Sequence, residues 1–210
     1  MTVTLGQLVR FIELFTARLA AEKEYLTTLD SAIGDADHGI NMDRGFQAVM
    51  AKLPEIGSGS VAGLFKGVGM TLISTVGGAS GPLYGTFFLR AGTALPETME
   101  VTSDQLVGAM RAGLEGVIQR GKATLDDKTM VDAMSPAVEA LERPPDGTLA
   151  AALTLAAGAA AAGRDRVTPL VARKGRASYL GDRSAGHQDP GATSTTFLFE
   201  ALRDALQPGS

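Results

Sequence analysis

The sequence predicts an all-α, single-domain protein. Its first segment places Leu8, Phe11, Ile12, Phe15 and Leu19 at the i, i+3, i+4, i+7 spacing of one helix face. Aromatic residues make up only 5% of the 210 residues, with no Trp and abundant Ala, which suits closely packed helices better than a strand-rich sandwich. No run alternates cleanly between apolar and polar side chains over more than a few residues, so strands have little support.

Thr4 and Gln7 form a capping box that opens the first helix, which is expected to run to about Leu29 and to end before Gly34. Further helices are expected over 41–53, 60–75, 81–94, 103–120, 129–142, 148–163 and 191–206, giving eight in all. Ser60, Ser103 and Thr148 suit N-caps, and Gly57, Gly121 and Gly163 suit stops. The stretch Glu142 to Gly147 reads as a surface connector, so residues 1–210 form one domain. Arg164 to Pro190 differs from the rest: it is long, basic in its first half, punctuated by Gly and without a helical period. A loop of that length in a compact domain points to function.

Bulk chemistry excludes several classes. A net charge of −4 argues against nucleic acid, because phosphate backbones call for a basic face. With no Cys, disulfides, thiolate catalysis and cysteine zinc sites are ruled out. Arg10, Glu13 and Arg18 interrupt the N-terminal apolar runs, against a signal peptide, and the stretch Leu149 to Ala162 is too short to span a bilayer. The expectation is a soluble cytoplasmic protein with no membrane partner.

Chemistry-bearing residues concentrate in four segments between the apolar helices. The first carries Asp30, Asp35 and Asp37, followed by His38, Gly39 and Asn41. Two carboxylates about 4 Å apart repel by roughly 4 kcal/mol at an effective dielectric near 20. Three of them converge to good effect only around a cation, and an all-oxygen set favours Mg²⁺ or Ca²⁺. An isolated acidic turn with Asp30 as a helix cap is the plainer alternative. EF-hand spacing is absent.

The second segment, Val76 to Gly85, is glycine-rich and leads into an apolar helix, with Ser80 as N-cap and Pro82 in the first turn. Such a helix start is a natural phosphate cradle. The third, Arg120 to Met130, follows a false P-loop: Gly116 to Lys122 spells G-x-x-x-x-G-K, but Ala123 stands where Ser or Thr is required and the preceding residues read as helix. Here Thr129 would cap a helix and Met130 could pack on a base. The fourth runs from Arg173 through Arg176 and Arg183 to Asp189-Pro190-Gly191 at a helix start. Arginines there could stabilise charge on a transferring phosphoryl group. The only two histidines, His38 and His187, fall in these segments, and no G-x-S-x-G elbow supports a serine hydrolase.

Several motifs in fixed order resemble the ADP-binding (L) subunits of the dihydroxyacetone kinases. They are Gly34-Asp35-Ala36-Asp37-His38-Gly39 with Asn41-Met42; Gly77-Gly78-Ala79-Ser80-Gly81-Pro82; Asp127-Lys128-Thr129-Met130; Lys174 to Gly181; and Gly186-His187-Gln188-Asp189-Pro190-Gly191-Ala192. The resemblance covers essentially the whole chain. One departure is Asp126, where the family pattern commonly has Gly, which puts the local turn in question.

The resemblance implies an eight-helix antiparallel barrel with a nucleotide site at one end. Asp30, Asp35 and Asp37 would hold Mg²⁺, in two ions, bridging the phosphates of ADP or ATP. His38, Asn41, Ala79 and Ser80 would contact phosphate or ribose, with Met42, Gly78 and Thr129 beside them. Gly121 and Met130 would line the base pocket, Asp189, Pro190 and Gly191 would close the site, and Arg176 would act on the transferring group. In this family's stand-alone form a K subunit binds dihydroxyacetone, and phosphohistidine on an M subunit rephosphorylates bound ADP, with phosphoenolpyruvate the ultimate donor. The resemblance leaves room for a homodimer. Two other functions fit the same residues: an ATP-dependent kinase subunit for another small ketose or sugar acid, and a non-catalytic ADP-sensing module.

Overall fold

The computed structural model describes residues 2–143 and 147–207, so the expected connector at Glu142 to Gly147 lies partly outside the described residues. Among the described residues nine α-helices follow one another: α1 (Leu5–Ala21), α2 (Lys23–Ile33), α3 (His38–Ile56), α4 (Val61–Thr75), α5 (Ser80–Ala94), α6 (Ser103–Gly121), α7 (Met130–Glu142), α8 (Leu149–Val167) and α9 (Pro190–Leu206). A 3-10 segment, Arg176–Ser184, lies between the last two. Among the described residues no helix is long and apolar enough to cross a membrane.

The expected first helix is two. Glu22 leaves helical geometry (φ −101°, ψ 13°), and the chain restarts at Lys23. The halves share α3 and α9 as neighbours, but only the second reaches the 3-10 segment. α1 buries Leu8, Phe11, Ile12, Phe15 and Leu19 against α9 and α3, whereas α2 buries Leu26, Asp30 and Ile33 towards α3 and the 3-10 segment. Counting α1 and α2 as one stave, the helices close a ring of eight: α1 packs on α3, each later helix on the next, and α9 returns to α1. Short connections make most sequence neighbours antiparallel, and the long α8–α9 connection returns to the end of α8 through the Gly186 N–H to Thr168 carbonyl bond. The ends of α2, α4, α6 and α8 and the starts of α3, α5, α7 and α9 therefore share one end of the barrel.

The interior is apolar and aromatic. All eight phenylalanines are buried, and Phe11, Phe15, Phe46, Phe65, Phe87 and Phe88 form one connected set of ring contacts. The opposite end holds a small sheet that periodicity does not reveal, because each strand has only three residues. β1 (Thr2–Thr4) pairs antiparallel with β2 (Glu100–Thr102), with buried Val3 opposite Val101.

Several expected helix ends hold. Thr4 with Gln7 is a capping box, Ser60 and Thr148 cap α4 and α8, and Gly57 ends α3. At α6 the cap is Thr102, in a capping box with Gln105, and Ser103 is the first helical residue. Gly163 does not stop α8, which continues to Val167. A Cβ at Gly163 would fall onto the backbone carbonyl of Asp132, so this glycine is where α8 lies hard against α7. Gly163→Ala should therefore force the two helices apart at a cost of about 1–3 kcal/mol, seen as a melting temperature lower by roughly 3–10 °C.

Candidate functional site

The four connections at one end of the barrel enclose a cavity of about 390 Å³, within the range of small-ligand pockets. Its wall draws on each of them: Asp30 to His38, Gly78 to Tyr84, Gly121 to Val131, and Lys174 to Gly191.

The α2–α3 connection carries the acidic cluster. One carboxylate oxygen from each of Asp30, Asp35 and Asp37 lies within 4.8 Å of the other two. The link is not extended: Ala36 adopts a left-handed φ of 60°, and Asp37 precedes the first turn of α3. Asp30 fixes the arrangement, because its Oδ2 accepts the backbone N–H groups of Asp37 (2.8 Å) and His38 (3.1 Å). Its carboxylate lies across Gly34, where any Cβ would collide with it. The helix-cap and cation readings of Asp30 thus describe the same side chain. Three converging carboxylates, one buried, one exposed and one half-buried, without a thiolate or free imidazole among them, form a donor set suited to a hard divalent cation. Arg176 meets this cluster from the 3-10 segment, with Nη2 3.0 Å from Asp35 Oδ2.

The α4–α5 connection carries Gly78, Ala79 and Ser80. Gly78 has a φ of 64°, and a Cβ at Gly81 would strike the Val76 carbonyl, so the turn demands glycine at both positions. Ser80 does not cap α5, which starts after Ala79 with no side-chain cap. Its Oγ instead bonds His38 Nδ1 at 3.0 Å. The first N–H groups of α5 thus stay uncapped at the cavity wall, where the helix dipole favours an anion.

Behind Ser80 a buried polar chain enters the barrel. His38 Nε2 meets Ser194 Oγ at 2.9 Å, and Tyr84 Oη meets Ser194 and Thr195 at 2.8 and 3.1 Å. Burial lowers the His38 pKa to about 4 despite Asp30 and Asp37, so its imidazole is neutral, and burial pushes the Tyr84 phenol up to about 12. Asn41 and Met42 are not among the residues lining the cavity. Met42 points into the core with no exposure. Asn41 accepts Arg44 Nη2 at 2.7 Å, and its amide faces Gly77 and Gly78 of the glycine turn. His187 is exposed outside the cavity.

The α6–α7 connection supplies Gly121, Ala123, Met130 and Val131, which with Leu83 and Val117 form an apolar wall. Thr129 caps α7 in a box with Asp132. Asp126, the departure from the family pattern, still takes the left-handed turn (φ 69°): its N–H donates to Asp132 Oδ1 at 2.6 Å, and its carboxylate pairs with Arg166. On the last connection Asp189 caps α9 through Ala192 N–H (2.7 Å), Pro190 opens the helix, and Gly191 approaches Met130. Loss of water pushes the Asp189 pKa up to about 7. Arg120, Lys128 and Lys174 also reach the wall, although sequence reasoning singled out none of them as a site residue.

The family model described as "DAK2 domain" matches residues 32–204. The chain belongs to the DAK2 domain family. This DAK2 domain is 47% identical over 205 residues to the ADP-binding subunit of the PEP-dependent dihydroxyacetone kinase of Escherichia coli, covering 96% of this chain and 97% of the relative. It is 42% identical to the ADP-binding subunit of the PTS-dependent dihydroxyacetone kinase of Lactococcus lactis, covering 97% and 99%. Among solved structures it resembles the dihydroxyacetone kinase of C. freundii in complex with AMP-PNP and Mg²⁺, with a TM-score of 0.71 and 29% identity. There it covers 93% of this chain but 33% of the other, so it spans about a third of that kinase's length.

Asp189 and His38 pull stability in opposite directions on acidification. The folded protein protonates Asp189 near pH 7 and the unfolded chain only near 3.8, so this group adds stability as pH falls through that window. The unfolded chain protonates His38 near 6.5 and the folded protein only near 4, so stability is lost as pH falls between those values. Asp189→Asn keeps an oxygen for the cap and removes only the first contribution. In chelator, its unfolding free energy relative to wild type should fall by about 1–3 kcal/mol between roughly pH 7.5 and 5 in denaturant titrations. A pH-independent difference would contradict the assignment.

Proposed function

We propose that this chain is the nucleotide-binding subunit of a dihydroxyacetone kinase, passing a phosphoryl group through tightly held ADP and Mg²⁺. The supporting observation is the convergence of Asp30, Asp35 and Asp37, within 4.8 Å of one another, beside Arg176 at the mouth of the cavity. The names of its full-length relatives, ADP-binding subunits of PEP- and PTS-dependent dihydroxyacetone kinases, and the AMP-PNP and Mg²⁺ of the structural neighbour agree with it.

On this reading Asp30, Asp35 and Asp37 hold Mg²⁺, in two ions, and the metal supplies positive charge that neutralises the phosphates. The uncapped start of α5, with Gly78, Ala79 and Ser80, receives phosphate oxygens. His38, neutral and bonded on both ring nitrogens, orients the Ser80 hydroxyl. The apolar wall of Leu83, Val117, Gly121 and Met130 takes the base, and Asp189 to Gly191 close the pocket. Arg176 turns from Asp35 to the transferring group, where its guanidinium stabilises the charge spread over the phosphoryl oxygens. Transfer of this kind depends on position and charge more than on covalent chemistry with the protein. A K-type subunit would bring the dihydroxyacetone and an M-type phosphohistidine carrier the phosphoryl group, in the cytoplasm.

Purification in Mg²⁺ followed by denaturation should release about one ADP per chain, with little exchange against labelled ATP beforehand. Freely exchanging ATP would instead indicate direct ATP-dependent transfer, and absence of nucleotide would refute the reading. Asp35→Asn should weaken Mg²⁺-dependent ADP retention by about tenfold or more, measured by equilibrium dialysis. Arg176→Ala should slow phosphoryl transfer by roughly 10²–10³-fold in a reconstituted assay.

A further inference from the structure

Lys128 is 1% exposed, between the α6–α7 connection and the base of the basic loop. Its ammonium donates three hydrogen bonds, to the carbonyl oxygens of Thr168 (2.8 Å), Leu170 (2.9 Å) and Ser184 (2.6 Å). All three N–H donors of a lysine are then in use. Its position is unusual for this residue type. Burial lowers its pKa, and its backbone has a φ of 63°, which L side chains rarely adopt and glycine adopts readily. The reason for a lysine here lies in what its side chain holds.

The three carbonyls bracket the neck of a single loop, 168–186. Thr168 and Leu170 stand at its start and Ser184 near its end. Two other bonds cross the same neck, Gly186 N–H to the Thr168 carbonyl (2.9 Å) and Ala172 N–H to Ser184 Oγ (2.9 Å), and Ser184 Oγ is fixed locally by donating to the Gly181 carbonyl (2.6 Å). Within the loop Ala172, Ala177 and Leu180 pack on Ile33, three residues beyond Asp30. Arg176 rides on this loop with a side chain 63% exposed, and its ion pair with Asp35 is the one charged contact holding it among the described residues. Its place over the acidic cluster is therefore inherited from the loop.

We infer that Lys128 is a positioning residue that clasps the neck of the 168–186 loop, holds Arg176 over the carboxylate cluster, and thereby sets how long the nucleotide stays bound. This rests on the nucleotide-binding reading above. The test follows release of a fluorescent ADP analogue in Mg²⁺ by stopped flow, together with amide hydrogen exchange of the whole chain. Lys128→Met should release the analogue about tenfold faster and raise exchange over residues 170–184, leaving α5 and α7 unchanged. In an Arg176→Ala background the same substitution should change release by less than about twofold, because its effect passes through Arg176. Ser184→Ala, which loosens the neck from its other side, should show a smaller effect, about threefold, with the same dependence, and it decides alone if Lys128→Met does not fold. Wild-type release rates in Lys128→Met, or equal effects in both Arg176 backgrounds, would overturn the inference while wild-type binding left the nucleotide reading standing. A wild type that fails to bind the analogue would overturn both.

Discussion

The site depends on one carboxylate. Asp30 stands in the last turn of α2 yet bonds the backbone at the start of α3, so it turns a flexible connection into a rigid corner. That corner brings Asp35 and Asp37 to Asp30, aims His38 into the barrel, and gives the 3-10 segment a floor at Ile33. Without a cation, three carboxylates at this spacing oppose one another, and two backbone N–H groups offset part of that repulsion. Charge that works against folding is thus concentrated at one end, and the aromatic interior and the closed ring of helices hold it there.

Much of the fold was legible in the sequence because helices announce themselves locally. The stripe from Leu8 to Leu19, the capping box at Thr4 and the stop at Gly57 each depend on residues within a turn or two. What periodicity could not reach was decided by contacts between distant segments. The first helix breaks at Glu22, after which α2 alone reaches the 3-10 segment, and Gly163 lies mid-helix because α7 passes close to it. The two strands are too short to show alternation.

The candidate site was legible in the same uneven way. Segments rich in Asp, Gly and Arg stood out against apolar helices, and the four connections they occupy do meet around one cavity. Individual side chains were harder to assign. Ser80, expected as a cap, bonds His38; Met42, next to the acidic motif, faces the core, and Asn41 faces the glycine turn. Tyr84 and Ser194 were overlooked because a hydroxyl inside an apolar helix reads as neutral. The run Thr193 to Thr196, four hydroxyl residues in the most buried helix of the chain, was the available signal.

The antiparallel ring has a mechanical corollary. α1 starts and α9 finishes at the end of the barrel that carries the small sheet, while the cavity opens at the other. The pairing of α1 with α9, fastened by Arg18 over the Phe197 ring at 4.7 Å, brings the start of α1 and the end of α9 to one pole. A force applied at the start of α1 or the end of α9 would act on the pole remote from the acidic corner and leave the mouth clear. Such a domain can be tethered like a tool held by its handle, with its working end free to swing towards whatever it serves.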